Sequence, residues 1–178
     1  MRNNLAIVVL LLFVSCEGEK IKPTVDKSFQ GGILPAHESW NSTIFFTDSG
    51  QTKAILYAGH LQVFDDSKET LMDGGIKVEF FNAQGIKSST LTSKRGKVDE
   101  RTNNLFAIDS VVAINDSGVV LRSDEIVWRN KDKKIYSDKF VTIESPDETI
   151  QGYGFESDQQ LRNYVVYNIT YTARTKKQ

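Results

Sequence analysis

Polar and apolar positions alternate with period two along most of the chain, the pattern of a strand with one buried face. Ile55, Tyr57, Leu61 and Val63 alternate through AILYAGHLQVF, and Ile76, Val78 and Phe80 alternate with Lys77 and Glu79 in IKVEFF. Near the end, Leu161, Val165, Tyr167, Ile169 and Tyr171 form another such set. Turn-forming groups fall between the runs: Asp73-Gly74-Gly75, Gln84-Gly85, Asp116-Ser117-Gly118 and Pro146-Asp147. No stretch combines a 3.6-residue apolar period with helix caps. The pattern predicts an all-β chain.

A weak internal repeat sharpens this expectation. Leu91/Ser93, Leu121/Ser123 and Ile150/Gly152 recur about thirty residues apart, each an apolar residue with a small residue two positions later. Phe81, Ile114 and Ile143 close the preceding strands. A strand pair that cannot bury its own face must stack on the next pair. The expected product is an elongated antiparallel β-jellyroll or partly open barrel built from stacked strand pairs.

The N-terminus breaks the pattern. Residues 5–14, LAIVVLLLFV, are uninterruptedly apolar behind Arg2, and Ser15 and Cys16 follow. Ten residues of helix rise about 15 Å, half of the roughly 30 Å hydrocarbon core, so the run reads as a signal peptide rather than a span. The resulting division is a signal peptide (residues 1–15), a polar tether (16–34), a β domain (35–172) and a basic tail (173–178). Phe13-Val14-Ser15-Cys16 resembles a bacterial lipobox, which implies a lipid on the Cys16 thiol and a membrane tether outside the cytoplasm.

Composition mostly excludes. The 178 residues hold 22 Lys+Arg and 23 Asp+Glu, a formal charge of −1, which offers no basic field for nucleic acid. One cysteine and two histidines rule out a disulfide framework and leave almost nothing for a metal, so no metal or cofactor is expected. No nucleophile elbow accompanies His37 or His60, and Gly152-Tyr153-Gly154 lacks the third glycine and the helix of a phosphate loop. The acidic runs at 65–66 and 144–148 read as solvated turns. No catalytic residue is assigned, and the chain is not expected to be an enzyme.

Further motifs are diffuse but act jointly: GIKVEFFNAQG, then LTSKRGKVDERTNNLFAIDSVVAINDSGVVLRSDEIVWRNKDKKIYSD, then FVTIESPDETIQGYGFESD. With Leu121-x-Ser123, Trp128, Ile135-Tyr136 and Ile150-x-Gly152-x-Gly154, the chain resembles the LptC family of periplasmic lipopolysaccharide-export proteins from about residue 35 to 167. The resemblance implies a β-jellyroll whose interior takes the acyl chains of lipopolysaccharide. It also implies receipt of that lipid from an inner-membrane ATP-driven export complex and transfer to a similarly folded periplasmic bridge protein. Many relatives are held by a transmembrane helix; here the short signal and Cys16 imply a lipid anchor on the periplasmic face of the inner membrane.

The alternation gives the inward-facing positions as Val78, Phe80, Ile108, Val112, Leu121, Trp128, Ile135, Ile143 and Phe155. The resemblance makes them the expected lipid-contacting set. The last strand has no later strand to pair with, and residues 165–171 carry no charge, so its edge is expected to add a partner's strand through Val166 or Asn168. The alternative function is an envelope jellyroll lipoprotein that binds a glycan or a protein. An apolar concave interior favours the carrier, and an aromatic outer platform favours the alternative.

Overall fold

The computed structural model describes residues 34–174. Cys16, the signal peptide and most of the tether and tail lie outside them. Ten antiparallel strands form one sheet: β1 (His37–Asp48), β2 (Gln51–Phe64), β3 (Glu69–Phe81), β4 (Lys87–Ser93), β5 (Arg95–Asp99), β6 (Asn104–Asn115), β7 (Val120–Arg129), β8 (Lys134–Glu144), β9 (Glu148–Asp158) and β10 (Tyr164–Arg174). Neighbours follow chain order, and β4 and β5 together fill the single place between β3 and β6. This is the all-β, jellyroll-like architecture that the alternation and turn spacing predict.

A flat sheet of this kind would leave its apolar face in water. A row of irregularities at one level across the strands prevents that. The register shifts at Ala58/His60, Ile108/Val111, Ser123/Val127 and Ser137/Phe140. Lys94 breaks β4 from β5 at the same level, donating its N–H to the Asp109 carbonyl at 3.0 Å and accepting from the Gly75 N–H at 3.3 Å. Asn41, Gly74, Gly75, Asp109, Ser110 and Gly154 have positive φ there, a conformation that Gly, Asn and Asp adopt at least cost. Each bulge bends its strand, and aligned bulges fold the whole sheet over. Ser89 Oγ donates to the Gln159 carbonyl at 2.8 Å and Asn115 Nδ2 to the Gln160 carbonyl at 3.0 Å, tying the β9–β10 loop to the far arms of β4 and β6.

The core lies between the two arms, with Leu56, Val78, Leu121, Ile126, Ile135, Val141, Ile143 and Phe155 fully enclosed. The bend also explains the repeated small residue. A bulge frees backbone groups that need partners when buried. Ser93 Oγ donates to the Arg95 carbonyl (2.8 Å), Ser123 Oγ to that of Phe140 (3.0 Å) and Ser137 Oγ to that of Glu125 (2.7 Å). Gly152 has a different reason: a Cβ there would lie 2.3 Å from the Asn168 carbonyl oxygen and 2.8 Å from Val166 Cγ1.

Three sequence expectations are corrected. Asp73-Gly74-Gly75 is not a turn between strands but a bulge inside β3. Leu161 is not a strand residue; it is buried in the β9–β10 loop at φ +53°, while Val165, Tyr167, Ile169 and Tyr171 are exposed. In β6 the buried residues are Leu105, Ala107, Val111 and Ala113, so Ile108 and Val112 do not face inward. Both faces of AIDSVVAI are apolar, so alternation alone does not say which of them turns inward.

On the outer surface near the bend, His60 of β2 bonds Glu38 of β1 through Nε2 (2.7 Å) and Asp73 of β3 through Nδ1 (3.1 Å), and stacks on Trp40 at 5.2 Å. The bond to Glu38, then that to Asp73, raises the imidazole pKa above its ordinary 6.5. A raised folded-state value contributes stability that is complete below pH 6.5 and lost as pH rises through the folded value. Urea unfolding from pH 5.5 to 8 is expected to show stability falling with pH on this account, and His60→Gln to flatten the slope. An unchanged slope in the variant would remove His60 from the clamp. In the same assay Gly152→Ala is expected to lower stability by about 2–4 kcal/mol, since the Asn168 backbone must move. Gly85→Ala, at a turn with open space around it, is expected to cost only about 1 kcal/mol for its positive φ.

Candidate functional site

Where the arms do not close completely, they leave a groove of about 550 Å³. Phe46, Ala54, Val78 and Phe80 line it from one arm of β1–β3, and Val98, Leu105 and Trp128 from the opposite arm of β5–β7. Its floor is apolar because the lining there comes from the inward positions of strands. Its mouth is mostly polar: beside exposed Phe45, the remaining lining is Thr47, Asp48, Lys53, Asn103, Asn130, Lys133 and Gln159, from strand ends and turns. A volume of this size lies in the usual range for small-molecule pockets.

The nine residues read as inward-facing are distributed unevenly about this groove. Val78, Phe80 and Trp128 line it. Leu121, Ile135, Ile143 and Phe155 are buried in the core and do not reach it. Ile108 is half-buried on the other face, and Val112 borders an outer depression with Arg122 and Thr142. Phe46, Ala54, Val98 and Leu105 were not legible as groove residues. Phe46 sits in a strand with weak alternation, Ala54 is too small to stand out, and Val98 and Leu105 flank a hairpin read only as continuous sequence.

Trp128 is half-buried, its indole N–H is enclosed without a partner, and Lys133 Nζ lies 5.1 Å from its ring centroid. Opposite each inward residue, β3 turns charge to solvent: Lys77 and Glu79 pair at 2.8 Å, which lowers the Glu79 pKa. Among the described residues no cluster of His, Cys, Asp and Glu is arranged to hold a metal ion, and no helix is long and apolar enough to cross a membrane.

A second feature is the unpaired edge of β10. The Asn168 carbonyl lies against Gly152 of β9, and within a strand a residue's N–H and C=O point the same way. Asn168 therefore bonds toward β9, as does Val166 two positions earlier, whose side chain packs on the core. By the alternation of a strand, the groups that point away from β9 are then those of Tyr167 and Ile169, the latter next to a register shift. Tyr167, Ile169 and Tyr171 are exposed along β10, and the exposed rings of Tyr153 on β9 and Phe140 on β8 meet edge-on at 5.2 Å.

One comparison bears on this arrangement. The family model described as lipopolysaccharide-assembly, LptC-related, matches residues 39–173, which is nearly all of the folded region. No curated protein matches the chain.

Proposed function

Because the chain belongs to the LptC-related family of lipopolysaccharide-assembly proteins, a periplasmic transport family, we propose that it is a non-catalytic carrier that shelters lipopolysaccharide acyl chains in the groove between its arms. The observation that carries this reading is the apolar floor under a polar mouth. Apolar contact supplies about 25 cal/mol per Å² and needs no reacting group. Direction then comes from elsewhere, from an inner-membrane ATP-driven export complex that loads the groove.

Discharge requires a partner that continues the shelter. The β10 edge fits a similarly folded periplasmic bridge protein, since unpaired N–H and C=O groups accept a strand and the apolar strip beside them adds area. The same strip would serve a protein-binding module. Its continuity with the open edge favours one docking surface over a separate glycan platform. Cys16 supplies the anchor to the periplasmic face of the inner membrane, and palmitate labelling lost in Cys16→Ala would report it.

A photo-crosslinker at Phe80 or Val78 is expected to capture lipopolysaccharide in cells, and one at Lys77 or Glu79 is not. Equal capture at all four positions would end the groove reading. For the edge, Tyr167→Pro and Ile169→Pro remove outward donors without touching the ladder to β9, a placement that edge strands tolerate. Pull-down of the bridge protein is expected to fall severalfold while lipid capture at Phe80 persists. Undiminished pull-down in both variants would show that docking occurs elsewhere.

A further inference from the structure

The groove's size and rim are more specific than the carrier reading requires. A methylene takes up about as much room as a water does in the liquid, about 30 Å³. The 550 Å³ between the arms therefore has room for on the order of eighteen methylenes, the size of one long acyl chain. The rim carries two ammonium groups, Lys53 and Lys133, against the single carboxylate of Asp48. Neither lysine is neutralised by a carboxylate. Lys53 Nζ donates to the side-chain carbonyl of Gln51 at 2.8 Å, and Lys133 Nζ donates to that of Asn130 and lies over Trp128. Elsewhere on the sheet, Lys77, Lys97, Lys134, Arg95, Arg129 and Arg162 all face carboxylates. The unneutralised cations of the groove sit where the head of an inserted chain would emerge.

We infer that the groove is a single-chain site with an anionic-headgroup station: it takes one acyl chain at a time and meets a phosphate-bearing head with Lys53 and Lys133. This rests on the carrier reading and deepens it. A lipid with several chains is held by one chain in this arm spacing, and the others require the β1–β2 hairpin to part from the β7–β8 turn. An ammonium at the edge of an apolar site favours an anionic head over a neutral one through charge-assisted hydrogen bonds. A chain without a charged head gains only the apolar contact.

Trp128 is the natural reporter, because it lines the groove while the only other tryptophan, Trp40, is exposed on the outer face. The full chain carrying Trp40→Phe is titrated with monomyristoyl lysophosphatidate and, separately, with monomyristoyl glycerol, which shares the chain and lacks the phosphate. One lysophosphatidate per protein is expected, bound about tenfold more tightly than the glycerol at low salt. Lys53→Gln with Lys133→Gln is expected to bring the two ligands together, as is about 1 M salt, where the screening length falls to about 3 Å. Shortening the chain is expected to weaken binding about fourfold per methylene. Inorganic phosphate alone is expected to leave the fluorescence unchanged, which separates a lipid head from a free anion. Equal affinity for the two lipids, two or more chains per protein, indifference to the lysine substitutions or no binding at all would each overturn the inference. Lipid A then separates the two readings. If lysophosphatidate binds as stated and lipid A does not displace it, the single-chain site stands and the carrier reading falls. If lipid A crosslinks at Phe80 while lysophosphatidate neither binds nor competes, the carrier reading stands and the single-chain site falls.

Discussion

The fold depends on one constraint: a single antiparallel sheet must double over to bury its apolar face. Chain-order pairing gives every strand its neighbours through short hairpins, but it cannot by itself make an inside. The row of register shifts at Ala58/His60, Ile108/Val111, Ser123/Val127 and Ser137/Phe140 does that, by adding a residue to one strand of a pair at the same level again and again. Because the bends line up, they add into a crease instead of cancelling. Everything else, including the core, the buried serines and the groove, follows from where that crease lies.

The crease also sets what the interior can do. Packed arms bury Leu121, Ile135 and Phe155 completely, which is how a core holds itself together. Toward the turns of β1–β2, β5–β6 and β7–β8 the arms separate, and the same apolar faces become a lining with no matching partner. Core and groove lining are thus one continuous face, closed at one place and open at another. The loop at 158–163 crosses between the arms, held by Ser89, Asn115 and the Arg162–Asp116 pair at 2.9 Å, and its Gln159 lines the groove. A groove built this way needs no special residue type, which is why it advertises itself so weakly.

Electrostatics on the outside supports the same geometry with little energy. The pairs across β7–β9, such as Arg129 with Glu156 and Lys134 with Glu156, lie at the surface, where each contributes modestly. His60 is more consequential by position than by strength, since it links three strands beside the crease. The edge strand β10 carries few charges of its own, in contrast to the paired middle strands.

Much of this was legible in the sequence. Alternation named the class, the turn residues Gln84-Gly85, Asp116-Ser117-Gly118 and Pro146-Asp147 marked real hairpins, and the Leu-x-Ser repeat marked the crease before its purpose was known. Those signals are local: they depend on the chemistry of two to eight neighbouring residues. What the tertiary structure alone decided was facing. Ile108 and Val112 look more like core than Ala107 and Ala113, yet the alanines go inside with Leu105 and Val111. Asp73-Gly74-Gly75 reads as a turn and is a bulge, because a positive φ serves either purpose. Whether Phe80 lines a groove while Leu121 is sealed depends on the gap between arms joined only through the crease, a distance that no short stretch of sequence encodes.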